Sequence, residues 1–183
     1  TGVNSVTLRA WQRRFGLLNP QRTAKGHRLY SEQDIELVKE IVSWLEKGVP
    51  ISQVKPLLGQ SQPESELDNW QQQIARLLDF TFSLNAKKLH QLLDQLTSLY
   101  PYHLVLTKVL KPWLTRYDSE NAARADGVIV QAWLQQQLQQ RFHTRLQLAN
   151  QTNQGSKLWL LNVGVRPWWL PLLQANEWAL AGY

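Results

Sequence analysis

A chain of 183 residues without a cysteine excludes disulfide scaffolding, thiolate metal sites and cysteine nucleophiles, and an apolar share of 43% excludes wholesale disorder. The net charge of +6 is concentrated: Arg9, Arg13, Arg14, Arg22, Lys25 and Arg28 lie within residues 1–30, which hold no Asp or Glu. The remaining 14 Lys and Arg are matched by all 14 Asp and Glu, so beyond residue 30 the chain is neutral. Charge of one sign gathered on a short segment builds a local positive potential, which suits a polyanion such as a phosphate backbone.

The sequence starts at Thr1 without a signal-like region or an initiator Met, and reads as a piece of a longer protein with room for one or two domains. Its most membrane-like stretch, Leu158–Leu173 with Trp159, Trp168 and Trp169, is shorter than a spanning helix and is interrupted by Arg166-Pro167. The expected reading is a buried strand and helix. The second reading, an interfacial helix, lacks the basic polar face such helices use.

In chain order, Ser5–Phe15 has helical spacing, with Val6, Leu8, Trp11 and Phe15 set against Thr7, Arg9, Arg13 and Arg14. Asn4 and Ser5 are candidate caps and Gly16 a stop. Pro20–Tyr30 reads as a β-hairpin turning at Lys25-Gly26. Ser31-Glu-Gln-Asp34 is a capping pattern opening a helix with Ile35, Val38, Ile41, Val42 and Leu45 on one face, ending at Gly48. Pro50–Leu58 is a further short helix with Ile51, Val54, Leu57 and Leu58 inward.

Gly59–Glu66, rich in Gln, Ser and Pro, marks a linker. Helical segments are predicted over about 66–82, 86–99, 101–117 and 119–143. Their apolar rows (Leu67, Trp70, Ile74, Leu77, Leu78; then Leu89, Leu92, Leu93, Leu96, Leu99) suit an antiparallel bundle. A loop over Ala149–Ser156 leads to Lys157–Val163, apolar on both faces as a buried parallel strand is. Val165–Glu177 would be its crossover helix, and Trp178 onward the approach to a second strand.

The basic segment carries the chemistry. A helix over 5–15 puts Arg9 and Arg13 on one face at i, i+4, flanked by Thr7 and Arg14, with donors long and short enough for base edges and phosphates in a major groove. The hairpin adds Arg22, Lys25, His27 and Arg28 as a wing for the neighbouring backbone or minor groove. The bland alternative, a solvated basic surface, fits poorly with an acid-free run built on a helix and a hairpin.

These residues resemble a known family. Thr7-Leu-Arg-Ala-Trp-Gln-Arg-Arg-Phe-Gly-Leu17, then Pro20-Gln-Arg-Thr-Ala-Lys-Gly-His-Arg-Leu-Tyr-Ser-Glu-Gln-Asp-Ile35, is similar to the winged-helix head of the MerR family of bacterial transcription regulators, and Gly48–Leu58 continues the likeness. The Arg-Ala-Trp-Gln-Arg-Arg version, with helices behind it, looks most like the MlrA/BluR branch. The resemblance implies a homodimer that binds and distorts a pseudo-palindromic promoter. It puts Thr7, Arg9, Trp11 and Arg13 on the recognition helix and Arg22, Arg28 and Tyr30 on the wing. The family's first helix would precede Thr1-Gly-Val-Asn4 and is missing from this sequence.

The rear of the chain resembles the cobalamin-binding sensor module of light-responsive relatives, which carries Asp-x-His-x-x-Gly after its first strand. The equivalent stretch, Gly164-Val-Arg-Pro-Trp-Trp-Leu170, has no Asp, His or second Gly, and the Glu-His pair of those relatives is absent, since Phe142 precedes His143. The expectation is therefore a degenerate module without cobalamin, governed by another signal such as a regulatory protein partner.

Other candidates are bland. His27, His90, His103 and His143 show no metal-ligand spacing, and Asp79 and Asp94 fall on separate helices as solvated residues. Trp70, Trp113 and Trp133 are most simply bundle core, with a small-molecule cavity as the alternative.

The expected fold is mainly α: a winged helix-turn-helix head over 1–58, a linker over 59–65, a helical bundle over 66–148 and the start of a doubly wound, Rossmann-like α/β domain over 156–183. The expected function is a non-enzymatic, cytoplasmic, nucleoid-associated regulator binding double-stranded promoter DNA as a homodimer through Thr7, Arg9, Trp11, Arg13, Arg14, Arg22, Lys25, His27, Arg28 and Tyr30, with no metal, no cofactor and no membrane partner. Two alternatives stay open: a cobalamin- or other small-ligand-dependent sensor, and a non-regulatory nucleic-acid-binding or interaction module.

Overall fold

The Asn4 side chain accepts the backbone N–H of Thr7 at 2.8 Å and starts the first helix, α1 (Ser5–Ala10). The computed structural model describes residues 1–60, 69–161, 167–180 and 182. Helical backbone continues beyond α1 as a wider turn over Trp11–Phe15, where the Gly16 N–H reaches the carbonyls of both Gln12 and Trp11. Gly16 then takes a left-handed φ of 58°, a conformation that costs a side-chain-bearing residue, and the helix stops.

Leu17, Leu18 and Pro20 are buried and pin the chain before a two-stranded antiparallel ribbon, β1 (Gln21–Arg22) and β2 (Arg28–Leu29), in the register Gln21 opposite Leu29 and Arg22 opposite Arg28. The turn between them closes with Gly26 N–H on the Thr23 carbonyl at 2.8 Å and Thr23 N–H on the His27 carbonyl at 2.9 Å.

Helix α2 (Glu32–Glu46) opens with the reciprocal capping box expected from Ser31 and Asp34. Its inner face is Val38, Ile41, Trp44 and Leu45. Two residues expected on that face depart from it: Ile35 is 39% exposed and Val42 half-buried. The stripe begins one turn later than the apolar pattern suggests, and Trp44, which that pattern passed over, is part of it. Short helix α3 (Ile51–Val54) buries Ile51 and Val54, whereas Leu57 and Leu58 are only half-buried in the tight turn that follows. Of the expected linker, residues 61–66 lie outside the described residues; Gly59 donates its N–H to the Glu40 carboxylate at 2.6 Å.

The rest is helical: α4 (Asn69–Phe82), α5 (Ala86–Leu99), α6 (Tyr102–Leu104) prolonged by wide helical turns over Val105–Leu110, α7 (Lys111–Asn121), α8 (Gly127–Thr152) and α9 (Trp169–Leu180). The protein is mainly α, and β1 and β2 are the strands among the described residues. It divides into two compact units, Thr1–Arg76 with His90–Leu110, and Leu77–Leu89 with Lys111–Tyr183.

In the first unit Trp11, Leu17, Ile41, Trp44, Val49, Val54, Trp70, Leu93, Leu96 and Val105 are buried. Trp70 meets Tyr100 edge-on, with ring centroids 5.0 Å apart. In the second unit α8 buries Val130, Leu134, Leu138 and Phe142 at four-residue spacing, α7 buries Trp113, Leu114 and Tyr117, and α9 buries Trp169, Leu173, Asn176 and Ala179. Trp70 and Trp113 are core residues as expected; Trp133 is only half-buried. The apolar rows read for α4 and α5 are buried, apart from Leu67, which lies outside the described residues.

Three boundaries are corrected. The helix expected over 119–143 starts at Gly127 and runs to Thr152, because α7 continues to Asn121 and the chain turns over 122–126. Asn121 donates its amide to the Gly127 carbonyl at 3.0 Å, and a Cβ on Gly127 would fall 2.7 Å from the Asn121 carbonyl oxygen, so the turn requires glycine there. The longer α8 absorbs much of the loop expected from Ala149. The strand expected over Lys157–Val163 is not formed among the described residues 157–161: Trp159 is 89% and Leu161 79% exposed, and no neighbouring strand pairs with them. Trp178, read as the approach to a second strand, lies inside α9.

Candidate nucleic-acid interface

Six cations without an acid among residues 1–30 are carried by two small elements. Arg9 rides on α1, its Nε donating back to the Ser5 carbonyl at 3.0 Å and its Nη2 to the Ser5 hydroxyl at 3.4 Å, so the side chain lies along the helix while staying exposed. Arg13 and Arg14 extend from the wider turn that follows and are exposed. On the ribbon, Arg22 donates Nη1 to the Gly26 carbonyl at 3.1 Å, bracing the turn that exposes Lys25 and His27.

Arg28 connects the two elements: its Nε donates to the Gln12 side-chain carbonyl at 2.8 Å, tying the ribbon to the helix that precedes it. Arg28 and Tyr30 are half-buried. Among the described residues none of the six cations forms an ion pair, whereas elsewhere Lys39 pairs with Glu36, Arg116 with Glu120 and Arg124 with Asp126. Their charge is therefore uncompensated, and repulsion among them favours an anionic partner.

The structure corrects two of the expected contact residues. Thr7 and Trp11 are both 0% exposed. Trp11 faces inward, donating its indole N–H to the Leu99 carbonyl at 2.8 Å, and its side chain has no surface to offer a duplex. A large aromatic ring on so short a helix anchors it by burial, and Arg9 and Arg13 on either side are exposed. Gln12 was not among the expected residues. Its signal was modest: a polar residue on the helix that carries Arg9 and Arg13, of a type that can accept from a guanidinium.

The family described as MerR HTH family regulatory protein matches residues 1–61. That span contains α1, the ribbon, α2 and α3 and all six cations. The head belongs to the MerR family. Over 134 residues the chain is 39% identical to the HTH-type transcriptional regulator MlrA of Salmonella typhimurium, covering 70% of this chain and 55% of the relative. It is 37% identical over the same length to MlrA of Escherichia coli. A shorter match, 41% over 59 residues, covers 32% of this chain and 20% of the HTH-type transcriptional repressor CarH of Myxococcus xanthus. The chain spans about half the length of the MlrA relatives it matches. These relatives are transcription regulators by name, not enzymes.

Behind the MerR head, the stretch compared with a cobalamin loop is described only from Pro167. Trp169 is buried there, and its indole donates to the Asp118 carboxylate at 2.8 Å. Burial pushes the Asp118 carboxyl above its ordinary range, while the indole donor pulls it part of the way back. His103 and His143 are exposed and His90 is half-buried, each on a helix, and among the described residues no three His, Asp or Glu side chains converge as a metal site. No helix among the described residues is long and apolar enough to cross a membrane.

Proposed function

We propose that the intact protein is a bacterial MerR-type transcription regulator, cytoplasmic and nucleoid-associated, which binds promoter DNA as a homodimer. In this reading α1 with its following turn is the recognition helix and the β1–β2 ribbon the wing. Arg9 and Arg13 read base edges, Arg14, Arg22 and Lys25 hold phosphates, and His27, Arg28 and Tyr30 support the wing. The carrying observation is the acid-free set of six cations on two elements joined by the Arg28–Gln12 hydrogen bond.

The rear module is read as degenerate, without cobalamin and answering to a partner protein or another signal. Its residues do not fit the cofactor: Gly164–Leu170 has no histidine or aspartate, and the indole N–H of Trp169 is committed to Asp118. One observation favours a small-ligand sensor instead, a cleft of about 450 Å³ lined by Leu146, Asn150, Lys157, Trp159, Ala175 and Trp178, within the size range of ligand sites.

Gel shifts of the intact protein on its own promoter region, random DNA and RNA, at rising salt, test the regulator reading. Preference for the promoter with a steep salt dependence is expected, and equal affinity for all three removes it. Arg9→Ala or Arg13→Ala should weaken promoter binding by about 1–3 kcal/mol, the worth of a base-edge contact. Visible absorption of protein purified from cobalamin-fed cells decides the cofactor: a corrin band overturns the degenerate reading.

A further inference from the structure

The residue that anchors the DNA-reading helix is tied to a place far along the chain. Trp11, between Arg9 and Arg13 and beside Gln12, gives its indole N–H to the carbonyl of Leu99, 88 residues away and fully within the first unit. Leu99 is the last residue of α5, and Pro101 stops that helix from continuing. Its carbonyl is one of the four at a helix end with no partner inside the helix.

A second tryptophan does the same thing next door. Trp70, in the first turn of α4, donates its indole N–H to the Leu45 carbonyl at 3.2 Å, at the end of α2, sharing that acceptor with the Gly48 N–H. The two caps are not independent, because the Trp70 ring lies edge-on against Tyr100, at 5.0 Å and 65°, and Tyr100 directly follows Leu99. Leu45, Trp70, Tyr100, Leu99 and Trp11 thus form one connected line from the end of α2, through the α4–α5 corner, to the helix carrying Arg9 and Arg13.

We propose that this double indole cap is the positioning device of the DNA-reading helix, so that a tilt of α4 or α5 re-aims Arg9 and Arg13. The proposal rests on the reading that α1 meets DNA. Three features carry it. The segment from Ser5 to Phe15 is too short to be a stable helix alone, so its direction is set by what it leans on. Its buried anchor leans on α5 by a single directional hydrogen bond. And Trp70 and Leu99 sit at the terminal turns of α4 and α5 within the first unit, so a tilt of either helix end moves an indole cap.

The test uses the full chain with Trp11→Phe, which removes the indole N–H together with part of the buried ring, Tyr100→Leu, which removes the ring contact with Trp70, and the double variant. Promoter affinity should fall about tenfold in each single variant, the factor that 1.4 kcal/mol represents. The double variant should be little worse than either, since both cut one line, and the salt slope should stay unchanged because no phosphate contact is lost. In Tyr100→Leu the amides of residues 8–16 should exchange faster with solvent, though the substitution lies on another segment. Trp113→Phe, which thins the core of the second unit, is the control for general loosening and should leave promoter affinity and that exchange as in the wild type. Additive losses, unchanged affinity, or unchanged exchange over 8–16 in Tyr100→Leu overturn the proposal. If the wild-type protein shows no preference for its promoter, the regulator reading fails, while the exchange measurement still decides the link.

Discussion

Residues 1–60 and the described parts of 157–180 are both rich in sequence signals; the head forms the helices, caps and turn that its sequence reads, whereas the rear forms the expected helix but not, over 157–161, the expected strand. In the head the signals close within a few residues: Asn4 caps Thr7, Ser31 and Asp34 cap each other, and Gly26 closes on Thr23. In the rear the signal was an apolar run, and Leu158–Leu161 stands exposed while Trp169, Leu173 and Ala179 are buried on α9. A cap needs its neighbour in sequence. A buried strand needs strands beside it, and among the described residues 157–161 has none. Local chemistry transfers from sequence to structure; burial depends on partners from elsewhere.

Tryptophan truncation gives the largest expected effect and the sharpest way to break that contrast. Trp44→Ala, which empties a fully buried site in the head, should cost about 3–5 kcal/mol in urea unfolding. Trp159→Ala, at 89% exposure, should stay within about 0.5 kcal/mol. A large loss at Trp159 would mean that the exposed run is packed in solution and that the two regions do not differ as described.

Next in size is an alkaline effect in the second unit. The Tyr117 phenol is buried beside Asp118, and burial, reinforced by the Asp118 charge, raises it from 10.0 to about 12. A group raised in the folded state stabilises it below its unfolded value, and that stability is lost as pH rises toward the folded one. Unfolding free energy should therefore fall by about 2–3 kcal/mol between pH 10 and 12, and Tyr117→Phe should flatten that part of the profile. An unchanged slope in the variant would place the alkaline loss elsewhere. The smallest effect belongs to the head: Ser31→Ala should cost about 1 kcal/mol by chemical denaturation, the worth of an N-cap. No loss would show that the capping box is incidental to the head's stability.

Much of the candidate interface was legible, because charge and helix period are properties of residue order. The positions of Arg9, Arg13, Arg14, Arg22 and Lys25 on a helix, its turn and a ribbon follow from that order. The direction in which Trp11 faces does not: the same helical pattern serves an aromatic reader of DNA and an aromatic anchor, and only Leu99, far along the chain, separates the two. The α7–α8 boundary lay within reach, since Asp126-Gly127 is a turn-forming pair that apolar periodicity alone passes over.

By itself the sequence determined a mainly helical protein whose head displays six cations free of acids, because caps, turn residues and charge act over a few positions of chain. The tertiary structure alone decided which aromatic residues face inward, that Gln12 holds Arg28, and that the end of α5 carries the anchor of the basic helix. Those outcomes are set by hydrogen bonds and packing between segments far apart in sequence, whose geometry no local pattern encodes.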